Sequence, residues 1–91
     1  MAQDANDGRK VAGWLPELQF KKGLRPVVQV IEDRTGEVLY TTRANSSSFQ
    51  PRVYNKGQHT VKIGPQKPDK KTLKSLAPKT KKSAGKLEVA L

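Results

Sequence analysis

The sequence predicts an all-β fold, and three observations lead there. Runs of β-branched and aromatic residues occupy 27–31, 38–42 and 59–63. Turn-forming residues separate them: Asp33-Arg34-Thr35-Gly36, Asn55-Lys56-Gly57 and Gly64-Pro65. A last alternating stretch, Leu87, Val89 and Leu91 with polar or small neighbours, closes the chain. Short period-two runs bounded by turn residues are the pattern of antiparallel strands.

Residues 1–10 are polar and rich in Asp, Asn and Gly, which predicts a flexible lead-in or linker. Residues 11–91 then form one domain. Leu18 and Phe20 alternate with Gln19, so a short strand is expected near residues 17–21. Pro16 places it at an edge or at a strand start, because proline donates no ladder hydrogen bond. Trp14 and Leu15 are expected to pack beside it as a plug. The strongest strand is 27–32, with Val28 and Val30 on one face and Val27, Gln29 and Ile31 on the other. Residues 33–36 make a four-residue turn in which Gly36 can take positive φ and Asp33 can bond its own backbone. Residues 37–43 return as the partner strand.

Residues 44–48 read as a polar loop, and Phe49 and Val53 flank Pro51 in an irregular edge strand. The strand at 58–63 is expected to point Val61 and Ile63 inward and Thr60 and Lys62 outward. The stretch 65–86 reads as a basic flexible loop, with room for one helical turn where Leu73 and Leu76 lie three apart. Six or seven antiparallel strands at this spacing suit a sandwich of the immunoglobulin or fibronectin type-III kind, carrying a long lysine-rich loop. The immunoglobulin cysteine signature is missing, and an open five-stranded barrel such as the OB-fold competes.

Composition bounds the function. With 91 residues and 34% hydrophobic content, the chain has material for one thin core. It has no cysteine, hence neither a disulfide nor a thiolate ligand. No window approaches the roughly 18 apolar residues of a membrane span, and residues 1–10 lack the apolar run of a signal peptide. The net charge is +10, and 65–86 holds eight lysines against the single acid Asp69, a net +7. That Lys/Pro/Ser/Thr-rich composition predicts a solvated, unpacked segment.

No catalytic constellation is visible. Glu32 and Asp33 are adjacent, and strand neighbours point to opposite faces, so they do not form a working carboxylate pair. His59 is the only histidine; it lacks the partners of a metal site or a general base and is expected as a solvated or core-edge side chain. Ser46, Ser47 and Ser48 lack the strand–turn–helix setting of a nucleophile. Gly57 and Gly64 stand singly, so there is no phosphate-cradling loop. No metal or cofactor is expected. Tyr40, Tyr54, Trp14 and Phe49 are needed mainly to fill the core, with Trp14 and Tyr54 the candidates for ligand contact at the surface. Lys70, Lys71, Lys74, Lys81 and Lys82 are the candidates for anion contact, by charge alone and without readout geometry. A solubilising role for them is the simpler reading.

Several motifs together resemble a known module. They are the Val28-x-Val30 strand, the Thr35-Gly36-Glu37 turn, Leu39-Tyr40-Thr41, Phe49-x-Pro51, Gly57 and the Thr60-Val61-Lys62-Ile63-Gly64 ending. The set resembles the C-terminal module that follows the catalytic domain in bacterial metallophosphatases of the alkaline phosphatase D type. Asp7-Gly8-Arg9-Lys10 is similar to the linker leaving such a domain. The family binds two metals through clustered Asp, His and Asn residues of its catalytic domain, and none of those clusters matches here. The resemblance therefore implies a non-catalytic accessory domain of an exported, periplasmic or extracellular hydrolase. Its partners would be the catalytic domain of the same parent chain and a polyanionic or surface substrate. The lysine segment departs from the family pattern. A small basic nucleic-acid-binding protein is the alternative.

Overall fold

The structure, a computed structural model, describes residues 10–91; the lead-in expected at 1–10 lies outside the described residues apart from Lys10. Among the described residues nine strands form: β1 (Gly13–Trp14), β2 (Glu17–Gln19), β3 (Val27–Glu32), β4 (Val38–Arg43), β5 (Ser48–Phe49), β6 (Arg52–Val53), β7 (His59–Gly64), β8 (Lys71–Leu76) and β9 (Lys86–Glu88). The all-β expectation holds. Several strands are very short because Pro16 and Pro51, which cannot donate to a ladder, interrupt the stretches they sit in.

The larger sheet has the order β4-β3-β7-β8 and is antiparallel throughout. Its centre is the pair β3–β7, where Val28 faces Ile63 and Val30 faces Val61. Period-two alternation turns all four of these side chains to one face, and all four are fully buried. Each such burial contributes roughly 1.5–3 kcal/mol. The hairpin β3–β4 closes as the sequence predicts. Gly36 adopts φ +74°, a conformation that costs glycine nothing, and its N–H donates to the Glu32 carbonyl at 2.8 Å. Asp33 differs from expectation: its carboxylate accepts the Thr60 hydroxyl at 2.6 Å and so ties the turn to β7.

The remaining strands are built on the stretch 13–19. It pairs antiparallel with 48–53 through β1–β6 and β2–β5. Between those pairings the register slips by one residue: Trp14 faces Arg52, while Leu18 faces Phe49. On its other side β2 pairs with β9, and this pairing is parallel, unlike the all-antiparallel arrangement expected. Leu15, Leu18, Phe20, Val53 and Val89 from this part join Val28, Val30, Tyr40, Val61 and Ile63 in a single hydrophobic core. The Tyr40 hydroxyl, rising from the larger sheet, donates to the Arg52 carbonyl at 2.8 Å and couples the two parts.

Three expectations need correction. Residues 65–86 are not one long loop, since 71–76 form β8 on the edge of the larger sheet. Leu73 faces Val61 and Leu76 faces His59, so Lys74 and Ser75 together oppose Thr60. This is a β-bulge, with Ser75 at φ +58°. The extra residue returns Leu76 to the face of Leu73, which reproduces the three-residue spacing that reads as a helical turn. Second, the closing stretch puts only Val89 in the core, whereas Leu87 and Leu91 each stay 38% exposed. Third, of the two settings expected for His59, solvated or core-edge, the solvated one is excluded: the ring is fully buried, on the same inward face as Val61 and Ile63.

Neither ring nitrogen of His59 has a hydrogen-bond partner among the described residues. Burial holds its pKa below the ordinary 6.5, against the opposing pull of the Gly57 backbone, Glu32 and Asp33. The neutral ring is therefore the folded form, and the unfolded chain binds the proton more readily. Stability is at its full value above pH 6.5 and falls as the pH drops from there toward the lowered folded pKa, by at most about 1.4 kcal/mol per pH unit. Urea midpoints measured between pH 7.5 and 5.5 will decline for the wild-type chain and stay flat for His59→Leu.

Candidate functional site

The described residue that gathers charge around itself is Trp14. Its place follows from strand pairing. Arg52 on β6 lies directly opposite Trp14, and on the other flank Lys79 forms an isolated antiparallel bridge with it. The Trp14 N–H donates to the Lys79 carbonyl at 2.8 Å, and the Lys79 N–H donates to the Trp14 carbonyl at 2.9 Å. Residues opposed across a ladder project to the same side. Arg52, Trp14 and Lys79 therefore form a row on one face. Val53, opposite Gly13, points the other way into the core.

Gly13 makes this approach possible. A Cβ there would stand 2.6 Å from the Pro78 Cβ, closer than two such carbons come. Pro78 thus lies against the Gly13 backbone and delivers Lys79, Thr80 and Lys81 beside the indole. The Lys81 ammonium sits 4.9 Å from the centre of the Trp14 ring and the Arg52 guanidinium 5.7 Å from it. Both fall within the roughly 6 Å over which a cation is drawn to an aromatic face.

The register slip beside Trp14 is closed by a side chain. Gln50 Nε2 donates to the Leu15 carbonyl at 3.1 Å and to the Lys81 carbonyl at 3.0 Å. One amide thereby occupies the mismatch left by the two prolines and anchors the 80–85 turn. That turn is further held by the Thr80 hydroxyl, 2.6 Å from the Ser83 hydroxyl and accepting the Ser83 N–H at 3.1 Å.

The result is a surface groove of about 440 Å³. Val11, Trp14 and Pro78 give it apolar walls, while Lys56, Lys79 and Lys81 bring ammonium groups. Among the described residues lining it, none is acidic. Its volume falls within the roughly 300–1,000 Å³ of small-ligand sites.

The candidates named from sequence are divided by the fold. Trp14 and Lys81 meet in the groove. Tyr54 is half-buried against the core and does not line the groove. Lys71 and Lys74 lie on β8, and Lys70 immediately precedes it, its N–H donating to the Ile63 carbonyl. Their position along a free sheet edge has a structural use, since lysines there discourage pairing with another chain. Lys82 follows Lys81 in the exposed turn without lining the groove. Sequence does not pick out Arg52, Lys56 and Lys79: long-range register brings Arg52 and Lys79 to Trp14, and Lys56 reaches the groove from the loop after β6. Among the described residues no group of three or more His, Cys, Asp or Glu is placed to hold a metal ion. No helix among them is long and apolar enough to cross a membrane.

Replacing Gln50 with Ala leaves the Leu15 and Lys81 carbonyls without this donor. The expected loss is roughly 1–3 kcal/mol of stability. Because the chain has a single tryptophan, release of Lys81 from the ring should also shift the native emission spectrum. Denaturant unfolding followed by Trp14 fluorescence reads both, and an unchanged midpoint and spectrum would show that Gln50 positions nothing.

No family model matches the chain, and no curated protein or solved structure matches it.

Proposed function

We propose that this chain is a non-catalytic accessory domain, an immunoglobulin- or fibronectin type-III-like sandwich, of an exported phosphoesterase-like hydrolase. It holds a polyanionic substrate near the catalytic domain of the parent chain. The observation that carries this reading is the convergence of Lys56, Lys79 and Lys81 on the groove at Trp14, with the Arg52 guanidinium 5.7 Å from the same ring. Lysines on a freely moving loop would give only diffuse attraction. Lys79, held by backbone pairing, and Lys81, held by Gln50, act from set positions, and a fixed array loses less side-chain freedom on binding.

The chemistry of the groove selects for acceptors. Ammonium groups are donors only, and the Thr80 hydroxyl is engaged with Ser83. A neutral sugar brings hydroxyl donors that would meet few side-chain acceptors. Phosphate, sulfate and carboxylate oxygens meet the lysines directly. The resemblance to the phosphatase module supplies the parent enzyme in this reading, and the groove supplies the part played by this domain.

Titrating the chain with inorganic polyphosphate tests it. Affinity should fall as salt rises, with a slope set by the number of phosphates neutralised. Changing Lys56, Lys79 and Lys81 together to Gln should weaken binding at least about tenfold and flatten that slope. Changing Lys70, Lys71 and Lys74 to Gln should do less. Equal losses from the two sets would refute the groove as the site, and phosphoester turnover by the chain itself would refute the non-catalytic role.

A further inference from the structure

We propose that the Trp14 groove takes single-stranded nucleic acid, with one base stacked on the indole in the place now held by the Lys81 ammonium, and that ammonium moved to the adjoining phosphate. The proposal rests on the polyanion reading above and narrows it to one ligand class.

Three features of the groove lead there. The first is its mixed character. A site for charge alone needs no aromatic floor, yet the lysines here surround the only tryptophan of the chain. Trp14 is only half-buried, with Val11 and Pro78 beside it as apolar walls. A planar, apolar group attached to an anion satisfies both parts at once. Polyphosphate has no such group, and a sulfated sugar has no π-face.

The second feature is the cap on the ring. Lys81 is exposed, and its ammonium lies 4.9 Å from the ring centre. Such a contact at an exposed site is weak, so a base that stacks more strongly can displace it. The displaced ammonium stays within side-chain reach of the groove, because the Lys81 backbone is held by Gln50. It then meets the phosphate attached to the stacked base. The swap exchanges one partner of Lys81 for a better one and leaves no charge unpaired.

The third feature is the row Arg52, Trp14 and Lys79, of which Trp14 and Lys79 line the groove while Arg52 stands outside it on the other flank of the indole. Strand pairing sets cations on both flanks of the indole, so a chain crossing the row passes from charge to ring to charge. That alternation suits a phosphodiester backbone with its bases turned toward the protein. A duplex hides its base faces in the stack and offers only phosphates, so the site distinguishes single strands from double strands.

The test uses the full chain with three probes: an oligothymidylate, a duplex of the same length, and polyphosphate of matched charge. The oligothymidylate should quench Trp14 emission saturably. It should bind about tenfold tighter than the other two at moderate salt, the increment expected from one stacked base. With a labelled oligothymidylate, Trp14→Phe should keep most of the affinity and Trp14→Leu should lose about tenfold, while Lys81→Gln should reduce the salt slope by about one. Thermal melts establish that the variants are folded, and the quenching of the wild-type chain stands independently of them. Equal affinity for all three probes, with Trp14 emission unmoved, would overturn stacking while leaving the polyanion reading intact. Insensitivity of every probe to the groove lysines would overturn both.

Discussion

Backbone pairing of the lysine-rich segment with both parts of the fold is the constraint on which the rest depends. β8 adds to β7 at the edge of the larger sheet, Lys79 bridges to Trp14, and β9 runs beside β2. One segment therefore crosses from one group of strands to the other, and Ala77 and Pro78 are its crossing point. Its lysines inherit positions from the ladders they flank. A +7 segment without those hydrogen bonds would be a diffuse cloud of charge; with them it becomes a guarded sheet edge and a cationic rim around one indole.

The core that supports this arrangement is small. Its strongest part is the fully buried set Val28, Val30, Val61 and Ile63, with Leu15, Leu18 and Val53 from the other strands. Single side-chain hydrogen bonds then carry more of the coupling than they would in a larger domain. Tyr40 to the Arg52 carbonyl and Gln50 to the Leu15 and Lys81 carbonyls both end on the ribbon that carries Trp14. The site is thus continuous with the packing beneath it. His59 is the exception, a buried polar ring without a partner for either nitrogen among the described residues. Its cost rises in acid, and nothing in the groove depends on it directly.

How much was legible in the sequence varies with how local the determining interaction is. The β3–β4 hairpin and β7 were readable because alternation and turn residues act over a few positions. β8 was not. Lysine and serine carry weak strand preference, and a bulge at Lys74 and Ser75 disguised the period of Leu73 and Leu76. Burial of His59 was also hidden, since the register that sets it between Glu32 and Leu76 is a property of three strands. The sequence singles out Trp14 and Lys81 separately but carries no sign of their meeting. That meeting requires the glycine at 13, the proline at 78 and the amide of Gln50, which are far apart in the chain and carry no local motif. Arg52 and Lys79 become visible beside Trp14 only through register, and Lys56 only through the placement of the loop after β6.

The account is tested most directly by amide hydrogen exchange across residues 65–91, followed residue by residue in the native state. It predicts protection well above the rates of an unstructured chain at the N–H groups of Lys70, Lys79 and Val89, which donate to Ile63, Trp14 and Gln19. Exchange of all three at the rates of a free peptide, with β3 and β7 still protected, would contradict it. The lysines would then be a tail on a β domain, and the groove at Trp14 would have no second wall.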